Sequence, residues 1–274
     1  MYKMTAKISM ILIVCCIFIL SACGQGSKEA NSNGSDNKTL SVGTEATFAP
    51  FEFMKKGKVT GFDVDLLNAV AKEAGYEVKI KNTGWDTMMA GVQDESIDIG
   101  MAGITINKKR LKTYDFSHPY FESINMIVAP KDSPIENAKD LKDKRIGVQN
   151  GTTGQMASEA LFGENNKNIL KYETSAMAFM ALENGDVEAV VTDYAVAKEY
   201  VEKNPDKNVK TIDDRTNFTP EYYGIMFHKD SKLKAKFDQA LNKILDDGTY
   251  TEIYKKWFGT EPDVDTLKAA QESK

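Results

Sequence analysis

Arg110 is the first residue of this chain whose type and surroundings indicate a binding function. It lies in the stretch GITINKKRLK, where an apolar strand gives way to a basic turn. An arginine side chain is a planar fork that can pair with both oxygens of a carboxylate. Thr105 and the backbone of Gly103 precede it at a strand end, where open α/β sheets bind ligands. A solvated basic turn is the alternative explanation, and composition favours neither.

A second candidate anion site is the stretch NGTTG, which contains Thr152 and Thr153. Its glycines free the backbone, and its threonines open a predicted helix whose N-terminal amides favour a negative charge. A threonine that only caps the helix is compatible with the same residues.

Asp193 ends the predicted strand VEAVVTD and precedes the predicted helix YAVAKEY. Taken alone, it is better explained as the N-cap of that helix. Opposite two carboxylate-binding features, its carboxylate could also hold an ammonium group. An anion site that faces a carboxylate is what a zwitterionic amino acid requires.

Two aromatic residues supply apolar surface for a ligand. Phe48 in TEATFAPFEF and Trp85 in NTGWDT are both predicted in a loop after a strand, away from the apolar face of a helix. Core packing explains either one about as well. If both line a cleft, they sandwich an aliphatic or amide side chain.

No group of residues typical of an enzyme accompanies these features. His118 and His228 have no second His or Cys at metal-ligand spacing, and the sequence lacks a G-x-S-x-G elbow and a phosphate-binding loop. We therefore expect no catalytic residue, no metal and no cofactor, and we predict that the chain is not an enzyme.

The composition is typical of a globular protein. The chain has 274 residues, of which 42% are hydrophobic, enough for one large domain or two lobes. Its formal net charge is -5, and Lys and Arg are interleaved with Asp and Glu, which argues against a nucleic-acid partner.

The order of predicted elements indicates an α/β protein. From Thr39 onward, short apolar strands alternate with amphipathic helices, which predicts largely parallel sheets. The stretches MMAGVQDESIDIGMAG and FMALENGDVEAVVTD each predict a helix, a polar turn and a buried strand. This weak internal similarity predicts two lobes of similar build.

The N-terminus has the pattern of an export signal over residues 1–22. Lys3 and Lys7 precede an apolar run that is too short for a stable membrane span. The run ends in LSAC, which resembles the lipobox of bacterial lipoproteins and predicts cleavage before Cys23 and its lipidation. An ordinary signal peptide is the less favoured alternative. Residues 23–38 are rich in Gly, Ser and Asn and predict a flexible tether.

Taken together, the motifs resemble the bacterial extracellular solute-binding proteins of family 3, the substrate-binding lipoproteins of polar amino acid ABC importers, and within them the glutamine-binding type. The resemblance covers the chain from about Leu40 to Pro262. It is carried by GTEATFAPFEF, GFDVDLLNAVAKEAG, AGITINKKRLKTYDFSHPY, DLKDKRIGVQNGTTG, GDVEAVVTDYAV and DDGTYTEIYKKWFG.

The resemblance implies a two-lobed, type II periplasmic-binding-protein-like fold with the ligand in a cleft between the lobes. Two hinge crossings are expected, near residues 120–124 and 219–223. The implied divisions are 39–119 with 224–262 as lobe I, 125–218 as lobe II and 263–274 as a C-terminal tail.

The resemblance also implies a role for each candidate residue. Arg110 and its neighbours, with the Thr153 region across the cleft, are expected to bind the α-carboxylate, and Asp193 the α-ammonium. The aromatic residues are expected to pack on the ligand side chain, and Glu45 to meet its polar end. The implied ligand-binding set is Glu45, Phe48, Trp85, Gly103, Thr105, Arg110, Gln149, Thr152, Thr153 and Asp193.

Two positions depart from the glutamine-binding pattern. Glu45 stands where that type has Asp, and Gln149 stands where it has Lys. An acidic residue at 45 without a positive partner at 149 disfavours Asp or Glu as the ligand, because like charges repel. Glutamine, arginine and lysine remain, with glutamine slightly ahead on overall similarity.

The function implied by the resemblance is capture of a polar L-amino acid outside the cytoplasm and its delivery to an ABC permease and its ATPase. The protein is expected to be a monomer, lipid-anchored to the cell membrane. The lack of cysteines after Cys23 favours a Gram-positive surface. The alternatives are a dehydratase-like enzyme, with Glu45 and Asp193 as its only acid or base candidates, and a ligand-sensing or adhesion lipoprotein without a transporter.

Overall fold

The structure is a computed structural model that describes residues 38–272. The predicted signal peptide, the lipidation of Cys23 and all of the predicted tether except Lys38 lie outside the described residues. Within them, no helix is long and apolar enough to cross a membrane.

The described residues form fifteen strands and eight α-helices. The strands are β1 (Lys38–Thr44), β2 (Thr47–Phe48), β3 (Glu52–Lys55), β4 (Lys58–Thr60), β5 (Tyr76–Asn82), β6 (Ile99–Gly100), β7 (Tyr114–Phe116), β8 (Phe121–Ser123), β9 (Asn125–Pro130), β10 (Ile146–Gln149), β11 (Ile169–Tyr172), β12 (Ala189–Asp193), β13 (Val209–Ile212), β14 (Glu221–Tyr223) and β15 (Met226–His228). The helices are α1 (Phe62–Glu73), α2 (Trp85–Gln93), α3 (Thr153–Phe162), α4 (Ser175–Glu183), α5 (Tyr194–Lys203), α6 (Leu233–Asp246), α7 (Thr249–Phe258) and α8 (Val264–Glu272).

Two five-stranded sheets carry the fold. Sheet one has the strand order β5-β1-β6-β15-β7, and sheet two has the order β11-β10-β12-β9-β13. In each sheet the first three strands are parallel and the other two run antiparallel to their neighbours. The predicted α/β class is confirmed, and so is the similar build of the two halves, since α2 precedes β6 as α4 precedes β12.

The parallel strands place the candidate site. β1 ends at Thr44, directly before Glu45, and β6 ends at Gly100, shortly before Gly103. In sheet two, β10 ends at Gln149 and β12 at Asp193. Because the carboxyl ends of parallel strands lie at one edge of a sheet, each sheet collects its candidate residues at a single edge.

A two-stranded antiparallel sheet of β8 and β14 covers both predicted hinge crossings. Its register pairs Glu221 with Ser123 and Tyr223 with Phe121. The rings of Phe121 and Tyr223 stack with their centroids 5.5 Å apart. These paired strands lie between the segments that form the two sheets.

The segment predicted as a C-terminal tail contains a helix, α8. The side chain of Asp263 accepts hydrogen bonds from the backbone N–H and the hydroxyl of Thr266, at 2.9 and 2.8 Å, and so caps the start of the helix. Leu267 is 3% exposed and belongs to the hydrophobic core, which explains why the segment is ordered.

Candidate ligand-binding site

A cavity lies where the strand ends of both sheets meet. All ten residues of the predicted ligand-binding set line it, together with Glu52 and Ala102. The complete lining is Glu45, Phe48, Glu52, Trp85, Ala102, Gly103, Thr105, Arg110, Gln149, Thr152, Thr153 and Asp193.

Arg110 is buried, with an exposed fraction of 6%. It begins a short 3-10 turn, and its backbone N–H donates to Asn107 Oδ1 at 2.9 Å. Its guanidinium donates from Nη1 to the carbonyl oxygen of Thr105 at 2.8 Å and from Nη2 to that of Gly151 at 3.1 Å. It also lies over the ring of Trp85, 5.1 Å from the centroid. The alternative of a solvated basic side chain is therefore wrong for Arg110.

The guanidinium keeps its charge in this environment. Burial lowers the pKa of Arg110 to about 10, and the carboxylates of Glu221 and Asp193 oppose that shift. Within residues 38–272, two of its five donors are used by the two carbonyl oxygens, which leaves donors for a carboxylate in the cavity.

Glu45 and Gln149 form a direct link between the two sheets. Gln149 Nε2 donates to Glu45 Oε2 at 2.6 Å, and Thr47 Oγ1 donates to Glu45 Oε1 at 2.9 Å. Ser175 Oγ donates to Gln149 Oε1 at 2.9 Å, which fixes the orientation of the amide. Burial raises the pKa of Glu45 to about 7, although the hydrogen bonds from Thr47 and Gln149 act against the shift.

Asp193 precedes α5, but its side chain makes no capping hydrogen bond. Its Oδ1 accepts from Tyr223 Oη at 2.6 Å and from Ser123 Oγ at 3.0 Å. The simple N-cap explanation is therefore wrong for the side chain. Burial, with a contribution from the negative charge of Glu221, raises the pKa of Asp193 to about 6.

The hydroxyl groups of Thr105 and Thr153 both donate to Glu221 Oε2, at 3.0 and 2.6 Å. Glu221 Oε1 accepts from Asn125 Nδ2 at 3.1 Å. A hydroxyl group has one proton, so neither threonine side chain can donate to a ligand while it donates to Glu221. Sequence reasoning missed Glu221, although it lies in a predicted hinge crossing.

Thr152 has the capping role that the sequence allowed. It is the N-cap of α3, where its hydroxyl accepts from the Gln155 N–H at 3.4 Å and donates to the Gln149 carbonyl oxygen at 2.8 Å. Gly151 before it has a φ of +76°, and a Cβ there would lie 3.0 Å from Trp85 Nε1. A glycine therefore allows the loop to approach the indole ring.

The two aromatic residues are buried against the cavity. Trp85 is the first residue of α2 and Phe48 belongs to β2, so neither lies in the loop that the sequence predicted. Gly103 has a φ of +54°, and a Cβ there would come within 2.8 Å of Phe48 Cε1. The Gly103 N–H donates to Asp63 Oδ2 at 2.9 Å, so it is not available to a carboxylate.

Glu52 is the other charged residue that sequence reasoning missed. It lines the cavity and is fully buried. Its position within the motif GTEATFAPFEF was the available signal, but an alternating pattern in a short strand does not say which carboxylate points inward.

A cavity between two such sheets defines a small-molecule-binding protein with the type II periplasmic-binding-protein fold. The family model of bacterial extracellular solute-binding proteins, family 3, matches residues 40–260, and the chain belongs to this family.

Similar proteins agree with this assignment. A probable histidine-binding protein of Neisseria gonorrhoeae is 37% identical over 253 residues, which cover 91% of this chain and 94% of that protein. The arginine-binding extracellular protein ArtP of Bacillus subtilis is 32% identical over 253 residues, covering 92% and 98% of the two chains. The solved arginine-, lysine-, histidine-binding protein ArtJ of Geobacillus stearothermophilus is 55% identical, with a TM-score of 0.83 over 84% of this chain and 100% of that chain. These relatives are binding proteins, not enzymes.

Proposed function

We propose that this chain is the substrate-binding component of an ABC importer and that its ligand is a basic L-amino acid, with L-arginine as the first candidate. The observation that carries the proposal is the charge of the cavity lining: three acidic residues, Glu45, Glu52 and Asp193, face one basic residue, Arg110. An α-carboxylate pairs with Arg110 and an α-ammonium with Asp193. The remaining carboxyl groups then favour a cationic side chain over the neutral amide of glutamine.

The types of residue that line the site support the same ligand. Phe48 and Trp85 provide apolar walls for the methylene groups of a long side chain, and Glu45 lies at the contact with Gln149 where its polar end would bind. The slight preference for glutamine that overall similarity suggested is thereby reversed. The names of the relatives, which are histidine-, arginine- or lysine-binding proteins, point in the same direction.

The mechanism that we propose is closure of two lobes around the ligand. Residues 39–119 with 224–262 form lobe I, residues 125–218 form lobe II, and β8 and β14 carry the hinge crossings. A ligand held by Arg110 and Glu45 from one sheet and by Asp193 from the other stabilises the closed state by its differential affinity. The permease and its ATPase then take the ligand from the closed monomer.

Calorimetric titration of the purified mature chain with the twenty amino acids tests the proposal. L-Arginine is expected to bind most tightly, followed by L-lysine and L-histidine, with L-glutamine weaker. A clear preference for L-glutamine would overturn the basic ligand but keep the binding function. No binding heat from any amino acid would overturn the function itself.

We also propose that a lipid on Cys23 anchors the protein to the outer face of the cell membrane. The support is the LSAC stretch before the tether of residues 23–38. Cys23→Ala is expected to release the protein into the medium or to leave it unprocessed, as judged by fractionation and the mass of the mature N-terminus. Membrane retention of a correctly cleaved Cys23→Ala protein would contradict the anchor.

A further inference from the structure

The carboxyl group of Glu52 is buried beside the cavity without a donor. Its exposed fraction is 0%, and neither Oε1 nor Oε2 has a hydrogen-bond partner within residues 38–272. The residue nevertheless lines the cavity. An unpaired buried carboxylate is costly, which means that this group must be neutral or must receive a donor.

Asp63 is the immediate neighbour of Glu52. Its Oδ2 accepts from the Gly103 N–H and from Tyr120 Oη, each at 2.9 Å, while its Oδ1 is buried and has no partner in the described part of the chain. A proton on Glu52 would supply the donor that Asp63 Oδ1 lacks, and burial together with the negative charge of Asp63 favours the protonated form of Glu52.

The groups whose charges act most on the carboxyl group of Glu52 are acidic. Besides Asp63 on α1 they are Glu45 after β1, Asp193 at the end of β12 and the phenol of Tyr120 before β8. Burial, followed by the negative charge of Asp63, raises the pKa of Glu52 well above its ordinary value. The cation of the cavity lining, Arg110, binds the carbonyl oxygens of Thr105 and Gly151 instead.

We propose that Glu52 is a further ligand-binding residue and that it exchanges its proton for the positive charge of the bound amino acid. This inference rests on the proposed function, since it requires a cationic ligand. An N–H group of the ligand donates to a Glu52 oxygen, the O–H bond of the carboxyl group breaks, and the proton passes to the buffer. Protein and ligand together therefore lose one proton, and the cavity gains an ion pair in its place.

Calorimetry of L-arginine binding at pH 8.0, in phosphate and in Tris, measures this exchange, because the two buffers take up protons with different enthalpies. At this pH Glu45, with its pKa raised to about 7, is largely ionised. The wild-type protein is expected to release up to one proton for each bound arginine. Glu52→Gln is expected to release none and to bind L-arginine at least about tenfold more weakly. Glu77→Gln, a matched change at an exposed position on β5, should match the wild type in both respects.

Binding of L-arginine without proton release, or equal release by Glu52→Gln and the wild type, would overturn the inference and leave the proposed function intact. No binding heat from any amino acid would overturn both. If Glu52→Gln does not fold, infrared difference spectra of the wild-type protein labelled with ¹³C-glutamate, recorded at pH 8.0 where Glu45 is largely ionised, test the same exchange. Addition of L-arginine should remove the band of a protonated glutamate, and an unchanged spectrum would reject the exchange.

Discussion

Gln149 donates a 2.6 Å hydrogen bond to Glu45, a residue 104 positions earlier in the chain that directly follows a strand of the other sheet. The amide leaves the carboxylate without a compensating cation, so a cationic ligand side chain can supply one. Gln149→Lys places an ammonium group at that point, where it competes with the ligand. We expect L-arginine affinity to fall about tenfold to a hundredfold, with a smaller change for L-glutamine.

Titration of both ligands against the wild type and Gln149→Lys measures the change in preference. Gln93→Lys adds the same charge at an exposed position on α2 and should leave both affinities unchanged. Equal losses for the two ligands in Gln149→Lys would argue against a role for Glu45 in ligand choice.

Arg110→Ala should weaken L-arginine binding by about 2–5 kcal/mol, roughly thirty-fold to several-thousand-fold, because the α-carboxylate loses its partner in a desolvated site. The affinity for agmatine, the analogue of arginine without the carboxylate, should fall much less in this variant. The affinity of Arg110→Lys for L-arginine should lie between those of the wild type and Arg110→Ala, since an ammonium group cannot reproduce the planar fork. An Arg110→Ala protein within twofold of wild-type affinity for L-arginine would remove the carboxylate site from Arg110.

The same substitution should also lower the melting temperature of the ligand-free protein. A solvated turn would predict little change, but Arg110 is 6% exposed and its charge offsets those of Glu221 and Asp193. Its removal leaves the two carboxylates without this positive charge and the two carbonyl oxygens of Thr105 and Gly151 without this donor. Thermal unfolding without ligand checks the effect, with Lys109→Ala, an exposed neighbour, as the control.

Asp193→Asn should weaken L-arginine binding by about tenfold to a hundredfold, because the α-ammonium loses its counter-charge. The asparagine oxygen can still accept from Tyr223 and Ser123, so the fold should persist. The analogue 5-guanidinopentanoic acid, which lacks the α-ammonium, should bind the variant and the wild type about equally. Equal losses for both ligands would show that Asp193 acts on the structure and not on the ammonium.

Glu45 should make L-arginine binding dependent on pH. Its pKa is raised to about 7 in the ligand-free protein, and a cationic side chain favours the ionised form. Affinity should therefore fall as the pH is lowered from 7.5 to 6, and Glu45→Gln should make that dependence less steep. Titrations with L-arginine across this pH range measure the dependence. An equally steep profile in Glu45→Gln would assign the pH dependence to another group.

The stability of the ligand-free protein should change with pH in the opposite direction. A carboxyl group whose pKa is raised by folding binds protons more tightly in the folded state, so the free energy of unfolding falls as the pH rises from about 4.5 to 7. Asp63 and Asp193, with pKa values raised to about 6, act with the same sign. Urea unfolding at pH 5.5 and 7.5 should show this loss, and a smaller one in Glu45→Gln.

The sequence predicts which residues form the site better than it predicts their hydrogen-bond partners. Asp193 was identifiable because it lies at the end of an apolar strand, and parallel strands bring such ends together, whereas Glu45 and Gln149 were implied only by the family resemblance. Hydrogen-bond partners depend on packing between distant segments, and no local pattern encodes them. Thr105 and Glu221, whose side chains are joined at 3.0 Å, lie 116 positions apart.

The boundaries of short elements were harder to predict for a related reason. Phe48, predicted in a loop, lies in β2, a strand of only two residues, which is too short to show an alternating pattern. The buried state of Arg110 depends on the loop around Gly151 from the other half of the chain. The Glu52 and Asp63 pair is likewise invisible in the sequence, because two acidic residues normally indicate surface.

β15 runs between β6 and β7 in sheet one, although its residues, Met226–His228, come long after those of its neighbours. All five strands of sheet two, by contrast, come from one continuous stretch, residues 125–212. Long sequence separation slows the pairing of strands. A chain that emerges N-terminus first can therefore assemble sheet two early, while sheet one keeps a gap between β6 and β7 until residue 228 has arrived. Sheet one should thus be the last part to fold, and a chain that stops before Met226 should be open to proteases there.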